Sequence, residues 1–213
     1  YRQLCKRPCF HDEYLQSYNN PNTHLIDTNG KGVERIDETG AWVDGVHYEL
    51  DCLVIASGFE VGTSYARRSG YDVTGRAGQL LSDYWADGMR SLHGMNVHGF
   101  PNLFILGFSQ AANQIANVPQ NYVENGLAIG DIISHAESTG ASTVEPTAKA
   151  EQDWIDFITS TTRGIRGGMD CTPGYYNNEG KPMGKREQQN SSGHPGGPIA
   201  FFTHLEQWRS TGE

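Results

Sequence analysis

The chain has 213 residues, 37% of them apolar and 19% charged, with a formal net charge of -9 and a mean hydropathy of -0.55. That length allows one large domain or two small ones, but the apolar content is lean for a self-sufficient core. The acidic balance excludes a nucleic-acid or anionic-membrane surface, which would need Lys and Arg gathered on one face. No run approaches the roughly 18 apolar residues of a membrane span, so small-molecule chemistry is the reading that remains.

In chain order, the sequence opens on Tyr1 rather than Met and passes directly into Cys5-Lys6-Arg7-Pro8, which suggests polypeptide upstream. From Thr23 to Asp51, short alternating runs at 24–27, 33–36, 41–43 and 46–50 are separated by Asn29-Gly30, Thr39-Gly40 and Asp44-Gly45. Turn dipeptides between alternating runs predict a small antiparallel meander. The continuous apolar run Cys52-Leu53-Val54-Ile55-Ala56, ending in Ser57-Gly58, predicts a strand buried on both faces. A domain boundary is therefore placed near Leu50, dividing residues 1–50 from 51–213.

Residues 65–99 lack a clear period and are expected to be loop with one short helix around 79–85. A second buried strand is expected over Pro101–Gly107. After a polar loop, Pro119 suits the first residue of a helix running to about His135, with Tyr122, Val123, Leu127, Ile129, Ile132 and Ile133 as its apolar stripe. Another helix is predicted after Pro146, carrying Trp154, Ile155 and Ile158. A last helix over Pro198–Trp208 gathers Ile199, Phe202, Leu205 and Trp208 as core. The Gly-rich stretch 164–198 implies support from neighbouring polypeptide.

Cys5, Cys9, Cys52 and Cys171 form no CxxC pair, which reads as four free thiols in a reducing cytoplasm rather than a zinc ribbon or disulfide framework. His11-Asp12-Glu13 and the His93 and His98 pair lack metal-ligand spacing, so no metal is expected. Two buried strands ending in Gly, one leading through a polar loop to a helix, form the kind of edge where a dinucleotide lies: Gly admits the ligand to the backbone, and the helix start offers unpaired N–H groups. On the pattern alone, an α/β sheet with Gly at its turns and no ligand is the better fit.

The string Asp51-Cys52-Leu53-Val54-Ile55-Ala56-Ser57-Gly58-Phe59-Glu60 is more specific. With Lys6-Arg7-Pro8, the run from Tyr18 through Asn20-Pro21-Asn22 to Leu25-Ile26-Asp27, and Gly99-Phe100-Pro101-Asn102-Leu103-Phe104, it resembles, in order, class B flavoprotein monooxygenases of the Baeyer-Villiger type. Cys171-Thr172-Pro173-Gly174-Tyr175-Tyr176 and Gly196-Gly197-Pro198 are similar to the branch that accepts bulky or macrocyclic ketones.

The resemblance implies the C-terminal portion of an α/β, Rossmann-like flavoprotein with two dinucleotide-binding domains, incomplete by itself. Residues 1–50 would end the NADP-binding domain, and 51–213 would form the later part of the FAD-binding domain. It implies FAD and NADPH as cofactors and conversion of a ketone to an ester or lactone. Arg7 would supply the fixed positive charge that an anionic oxidant needs; at contact distance and an effective dielectric of about 20, that attraction is roughly 4 kcal/mol before desolvation. Lys6 would pair with the 2′-phosphate of NADPH. Ser57 and Gly58 would let the backbone approach FAD, and Tyr175 and Tyr176 would line the substrate. Asn117 would lie beside the flavin ring or simply cap the following helix.

The family's Gly-x-Gly-x-x-Gly loops are absent from this sequence, so the resemblance also implies an N-terminal half, in the same enzyme or as a companion chain. The alternative is a truncated relative without redox function, acting as a binding subunit or a non-oxidative catalyst.

Overall fold

The structure is a computed structural model that describes residues 11–56, 64–107, 109–112, 117–160, 171, 181 and 184–211. The chain divides into two compact units, Lys6–Phe59 and Glu60–Glu213, the second also taking Tyr1–Cys5.

In the smaller unit a short helix, α1 (Tyr14–Ser17), precedes three strands, β1 (Arg35–Asp37), β2 (Gly40–Val43) and β3 (Val46–Glu49), ordered β1-β2-β3 with both pairs antiparallel. This is the expected meander, less its first strand: 24–27 joins no sheet. Asp44 and Gly45 both take positive φ, 47° and 75°, the conformation a two-residue hairpin requires to match strand twist. Gly40 faces the Tyr48 carbonyl so closely that a Cβ would overlap it. Trp42 organises one face: its indole N–H donates to Asp37 Oδ2 at 2.6 Å, the Arg35 guanidinium lies 4.1 Å from its ring centroid, and His47 packs at 4.7 Å. The hydrogen bond from Trp42, with further ones from Thr39, holds the Asp37 carboxyl well below the usual carboxylate range.

The expected buried strand at 52–56 is not formed. The described residues there join no sheet, and Leu53, Val54 and Ile55 are 45%, 81% and 78% exposed. A strand buried on both faces needs pairing edges and covering layers, and no described residue supplies them.

The larger unit is mostly helical: α2 (Tyr65–Ser69), α3 (Leu81–Tyr84), α4 (Val118–Thr139), α5 (Ala148–Ser160), α6 (Lys185–Ser191) and α7 (Gly197–Thr211). The short helix expected around 79–85, the one beginning at Pro119 and the one after Pro146 are all present. The main core joins Met95, Ala111, Ala112, Ala128, Trp154, Ile155, Ile158, Phe201 and Leu205. A smaller cluster is built on Leu81, Val97 and Phe100, with Leu103 and Ile105 packed against it. The second expected strand is thus also corrected: 101–107 joins no sheet and is only partly buried, tied by the Ile105 N–H to the Met95 carbonyl at 2.8 Å.

Helix α5 buries Trp154, Ile155 and Ile158, as the sequence pattern requires, and with them Glu151, which the pattern did not mark. Helix α7 differs, burying Phe201 and Leu205 while Ile199 is 80% exposed; the i, i+4 pair sets the inward face, and Ile199 falls outside that arc. Helix α4 differs most: its buried residues are Asn121, Asn125, Ala128 and Ala136, and Tyr122, Val123, Leu127 and Ile133 of the expected stripe point outward. The four free thiols are also corrected: Cys171 is disulfide-bonded, whereas Cys52 is free. Sequence spacing carries no signal for this bond. Among the described residues, no helix is long and apolar enough to cross a membrane.

Candidate functional site

Of the residues singled out in the sequence, Lys6, Arg7, Ser57, Gly58, Tyr175 and Tyr176 lie outside the described residues. Asn117 is described, as the N-cap of α4, and its side chain makes no capping hydrogen bond. Its carbonyl accepts the first bond of the helical ladder, from the Asn121 N–H at 3.2 Å, so the first-turn N–H groups receive no side-chain cap.

One turn further on, Asn121 is fully buried, yet neither of its amide atoms has a partner among the described residues. Asn125, a turn later, donates from Nδ2 to the Gly107 carbonyl at 3.1 Å and leaves its Oδ1 unpaired. The end of the 101–107 segment and the start of α4 are therefore pinned together. This is the strand-end and helix-start juxtaposition expected of a dinucleotide edge, made without a formed strand. Pro119 occupies the first turn, which contains no acidic residue, so the positive end of the helix dipole is uncancelled there. A buried amide with no partner is costly, so hydrogen-bonding capacity at this helix start is left for a polar group to use. Asn121 was not found by sequence reasoning, because a buried Asn on a helix looks like any polar position until its face is known.

A recess in the smaller unit is lined by Ile36, Asp37, Glu38, Gly40 and residues 50–53. Asp37, Glu38 and Asp51 would repel the phosphates of a dinucleotide, so it is a poor nucleotide site.

Two further polar groups in the larger unit are structural. Glu151, with no exposure, accepts from Tyr84 Oη at 2.6 Å, Arg90 Nε at 3.1 Å and the His98 N–H at 2.8 Å. His98 also meets the Pro146 carbonyl through Nδ1 at 3.0 Å. His93 lies inside the core, its Nε2 2.9 Å from Nε2 of His204, whose ring stacks on Trp154 at 5.4 Å. Burial, then the charges that His204 and His194 would carry, push the His93 imidazole down to about 3; burial also lowers His204 and His194. His93 and His98 are thus engaged in different networks. Among the described residues, no group of His, Cys, Asp and Glu side chains is placed to hold a metal ion.

No family model matches the chain. Individual relatives do, over its full length. It is 44% identical to pentalenolactone D synthase of Streptomyces exfoliatus, covering 100% of this chain and 36% of that protein. It is 42% identical to the FAD-binding monooxygenase hmp7 of Hypomyces subiculosus (100% and 35%) and 39% identical to the Baeyer-Villiger monooxygenase ATR8 of Stachybotrys chlorohalonatus (100% and 34%).

Among solved structures, the polycyclic ketone monooxygenase of Thermothelomyces thermophila superposes with a TM-score of 0.87 at 37% identity, over 100% of this chain and 35% of that one. An oxidized steroid monooxygenase bound to NADP does so with a TM-score of 0.74 at 25% identity, over 98% and 38%. The chain spans about a third of the length of the curated relatives it matches.

Proposed function

From the relation of this chain, along its whole length, to Baeyer-Villiger monooxygenases, we propose that it is the C-terminal part of a flavin- and NADPH-dependent enzyme that converts a bulky ketone to an ester or lactone. The observation that carries the reading is the full-chain match to the polycyclic ketone monooxygenase, with a TM-score of 0.87. Residues 1–50 end an NADP-binding domain and residues 51–213 continue an FAD-binding domain of Rossmann type.

Bound flavin, reduced by NADPH, supplies the electrons with which dioxygen is activated for insertion beside the ketone carbonyl. The chain contributes position and charge. Arg7 holds a permanent positive charge where negative charge develops, a role guanidinium suits because it stays protonated and presents several donors in one plane. Lys6 pairs with the 2′-phosphate of NADPH. Ser57 and Gly58 bring backbone N–H groups against FAD, and Tyr175 and Tyr176 bound the ketone pocket.

At the start of α4 the fit to a flavin rests on what the fold leaves unpaired: the Asn117 amide, which caps nothing, and the Asn121 amide behind it. The uncancelled helix dipole favours the electron-rich edge of the ring system.

The test is Arg7→Ala beside Arg7→Lys, in this chain assembled with the complementary segment of the Streptomyces exfoliatus relative. Arg7→Ala is expected to keep the flavin spectrum and lower ester formation by roughly 100-fold to 1,000-fold, the usual effect of removing a preorganised charge partner, with Arg7→Lys between. Unchanged ester formation in Arg7→Ala would overturn the assignment. A wild-type assembly that takes up no flavin would instead favour a relative without redox function.

A further inference from the structure

We infer that Gln110 is a positioning residue for the ketone: it anchors the end of α6, and with it the stretch that precedes α6 in the chain, against the segment that leads to α4. This deepens the reading above and rests on it.

Gln110 is fully buried and holds a positive φ of 59°, a backbone setting that a long side chain seldom takes. Every polar group it has is engaged. Its N–H donates to the Ser192 carbonyl at 2.8 Å, and its own carbonyl accepts from the Trp154 indole at 3.0 Å. In the side chain, Oε1 accepts from Ser91 Oγ at 2.6 Å, while Nε2 donates to the Met89 carbonyl at 2.5 Å and the Gln189 carbonyl at 3.2 Å. One residue therefore joins 89–91, α5 and the end of α6.

The three partners of the side chain call for an amide, with one acceptor for the hydroxyl and two N–H donors for the carbonyls. A carboxylate would set an oxygen against both carbonyls, and an apolar chain of similar length would leave three buried polar groups without this partner. Two contacts beside it strengthen the same joint. The His194 N–H donates to the Ala111 carbonyl at 2.9 Å, and the Met89 N–H donates to Asn190 Oδ1 of α6 at 2.7 Å. Gly88 packs so closely there that an added Cβ would lie 2.9 Å from Gln189 Oε1 and 3.1 Å from the Arg186 carbonyl.

Just ahead of Gln110, the Gly107 carbonyl is held to α4 by Asn125. The short segment between them is thus fastened to α4 at one end and to α6 at the other. Asn117 follows it in the chain, and Tyr175 and Tyr176, to which the reading above gives the ketone pocket, precede α6. Gln110 sets where these two stretches are anchored relative to each other. Placement of this kind matters to rate, because a misplacement of about 1 Å costs on the order of 100-fold.

With the ketone in place, one dioxygen, one NADPH and one proton give one ester or lactone, one water and NADP+. With the ketone misplaced, the same dioxygen, NADPH and proton give hydrogen peroxide and NADP+ instead.

The experiment assembles this chain with the complementary segment of the Streptomyces exfoliatus relative and counts ester, hydrogen peroxide and NADPH oxidised at graded concentrations of a polycyclic ketone. Amide hydrogen exchange of 185–192 is followed in the same samples. Gln110→Met is expected to speed that exchange, to raise the KM for the ketone about tenfold and to lower the ester formed per NADPH, with hydrogen peroxide making up the difference. Reduction of the flavin by NADPH, in which the ketone takes no part, keeps its wild-type rate.

Asn190 is exposed, so its replacement spares the core. Asn190→Leu is expected to shift KM by about threefold in the same direction, and Asn190→Asp, whose carboxylate still accepts from the Met89 N–H, to match the wild type. Tyr84→Phe, which loses a hydrogen bond to Glu151 and none of these contacts, controls for lost stability and should leave KM and yield unchanged.

Wild-type KM and wild-type yield per NADPH in Gln110→Met would overturn the role, and so would a rise in KM that Tyr84→Phe reproduces. A wild-type assembly that takes up no flavin discards the flavoenzyme reading and the ketone role with it. Exchange then judges the anchor by itself, which stands if 185–192 loosens in Gln110→Met but not in Tyr84→Phe, and falls otherwise.

Discussion

Glu151 shows how much a single residue contributes here. Its carboxylate is wholly buried yet gathers the Tyr84 hydroxyl, the Arg90 guanidinium and the His98 N–H, joining α5 to the segments that precede it. Replacing it with Ala strands the Tyr84 and His98 donors and takes the carboxylate away from the Arg90 guanidinium, which, among the described residues, keeps only Gln152 Oε1 at 2.6 Å. Breaking a buried pair on one side costs roughly 3 to 5 kcal/mol, and urea unfolding of Glu151→Ala is expected to show a loss of that size, against about 1 kcal/mol for Tyr84→Phe.

His93 makes the second residue-scale prediction. Its folded value, about 3, lies below the ordinary 6.5, so the neutral ring contributes its full stability above pH 6.5, and that contribution is lost as the pH falls from there towards 3. His194 and His204, also lowered, act in the same direction. The melting temperature should therefore fall between pH 7 and pH 5, and less steeply in His93→Asn, a substitution chosen because Asn tolerates the positive φ of 55° found there. A melting temperature that is level across that range would contradict the burial of His93.

Neither residue was legible beforehand. Glu151 sits among Lys149, Gln152 and Asp153 as one more polar helical residue, and the His93–His204 contact joins positions that no local pattern relates.

At the scale of elements, legibility followed locality. The hairpin of β2 and β3 was readable because Asp44-Gly45 encodes its turn, and α5 because Trp154, Ile155 and Ile158 mark one face. Gly40 explains the register: Gly40→Ala sets a Cβ against the Tyr48 carbonyl and is expected to shift or open the sheet, read as lost dispersion of the backbone amide resonances of 35–49 by nuclear magnetic resonance. Retained dispersion would show that the two strands can separate to admit a methyl group.

The strands expected at 52–56 and 101–107 depend instead on neighbours in a sheet, which sequence pattern presumes and no described residue provides. In α4 the period was right but most of the stripe faces outward: Ile129 packs against the core, whereas Tyr122, Val123, Leu127 and Ile133 are exposed. A stripe of Tyr122, Val123, Leu127 and Ile133 announces an apolar face without saying whether this chain's own core or another segment covers it. The same ambiguity held for Ile199 in α7.

At the scale of the molecule, the lean core, the uncovered face of α4 and the exposed apolar residues 53–55 agree with the share of its relatives that the chain spans. The candidate site was legible only as motifs: Lys6-Arg7 and Ser57-Gly58 were identified by resemblance, whereas Asn121 became visible only once the helix had a direction.

We propose that this chain completes an enzyme that inserts oxygen beside a ketone carbonyl. The measurement closest to it is mass spectrometry of the product formed from a polycyclic ketone, NADPH and isotopically labelled dioxygen by the chain assembled with its complementary segment. The claim predicts an ester or lactone carrying a single labelled oxygen atom, with the other atom released as water and one NADPH oxidised for each product molecule. Ketone recovered unlabelled and unchanged from an assembly that holds flavin and oxidises NADPH would contradict it.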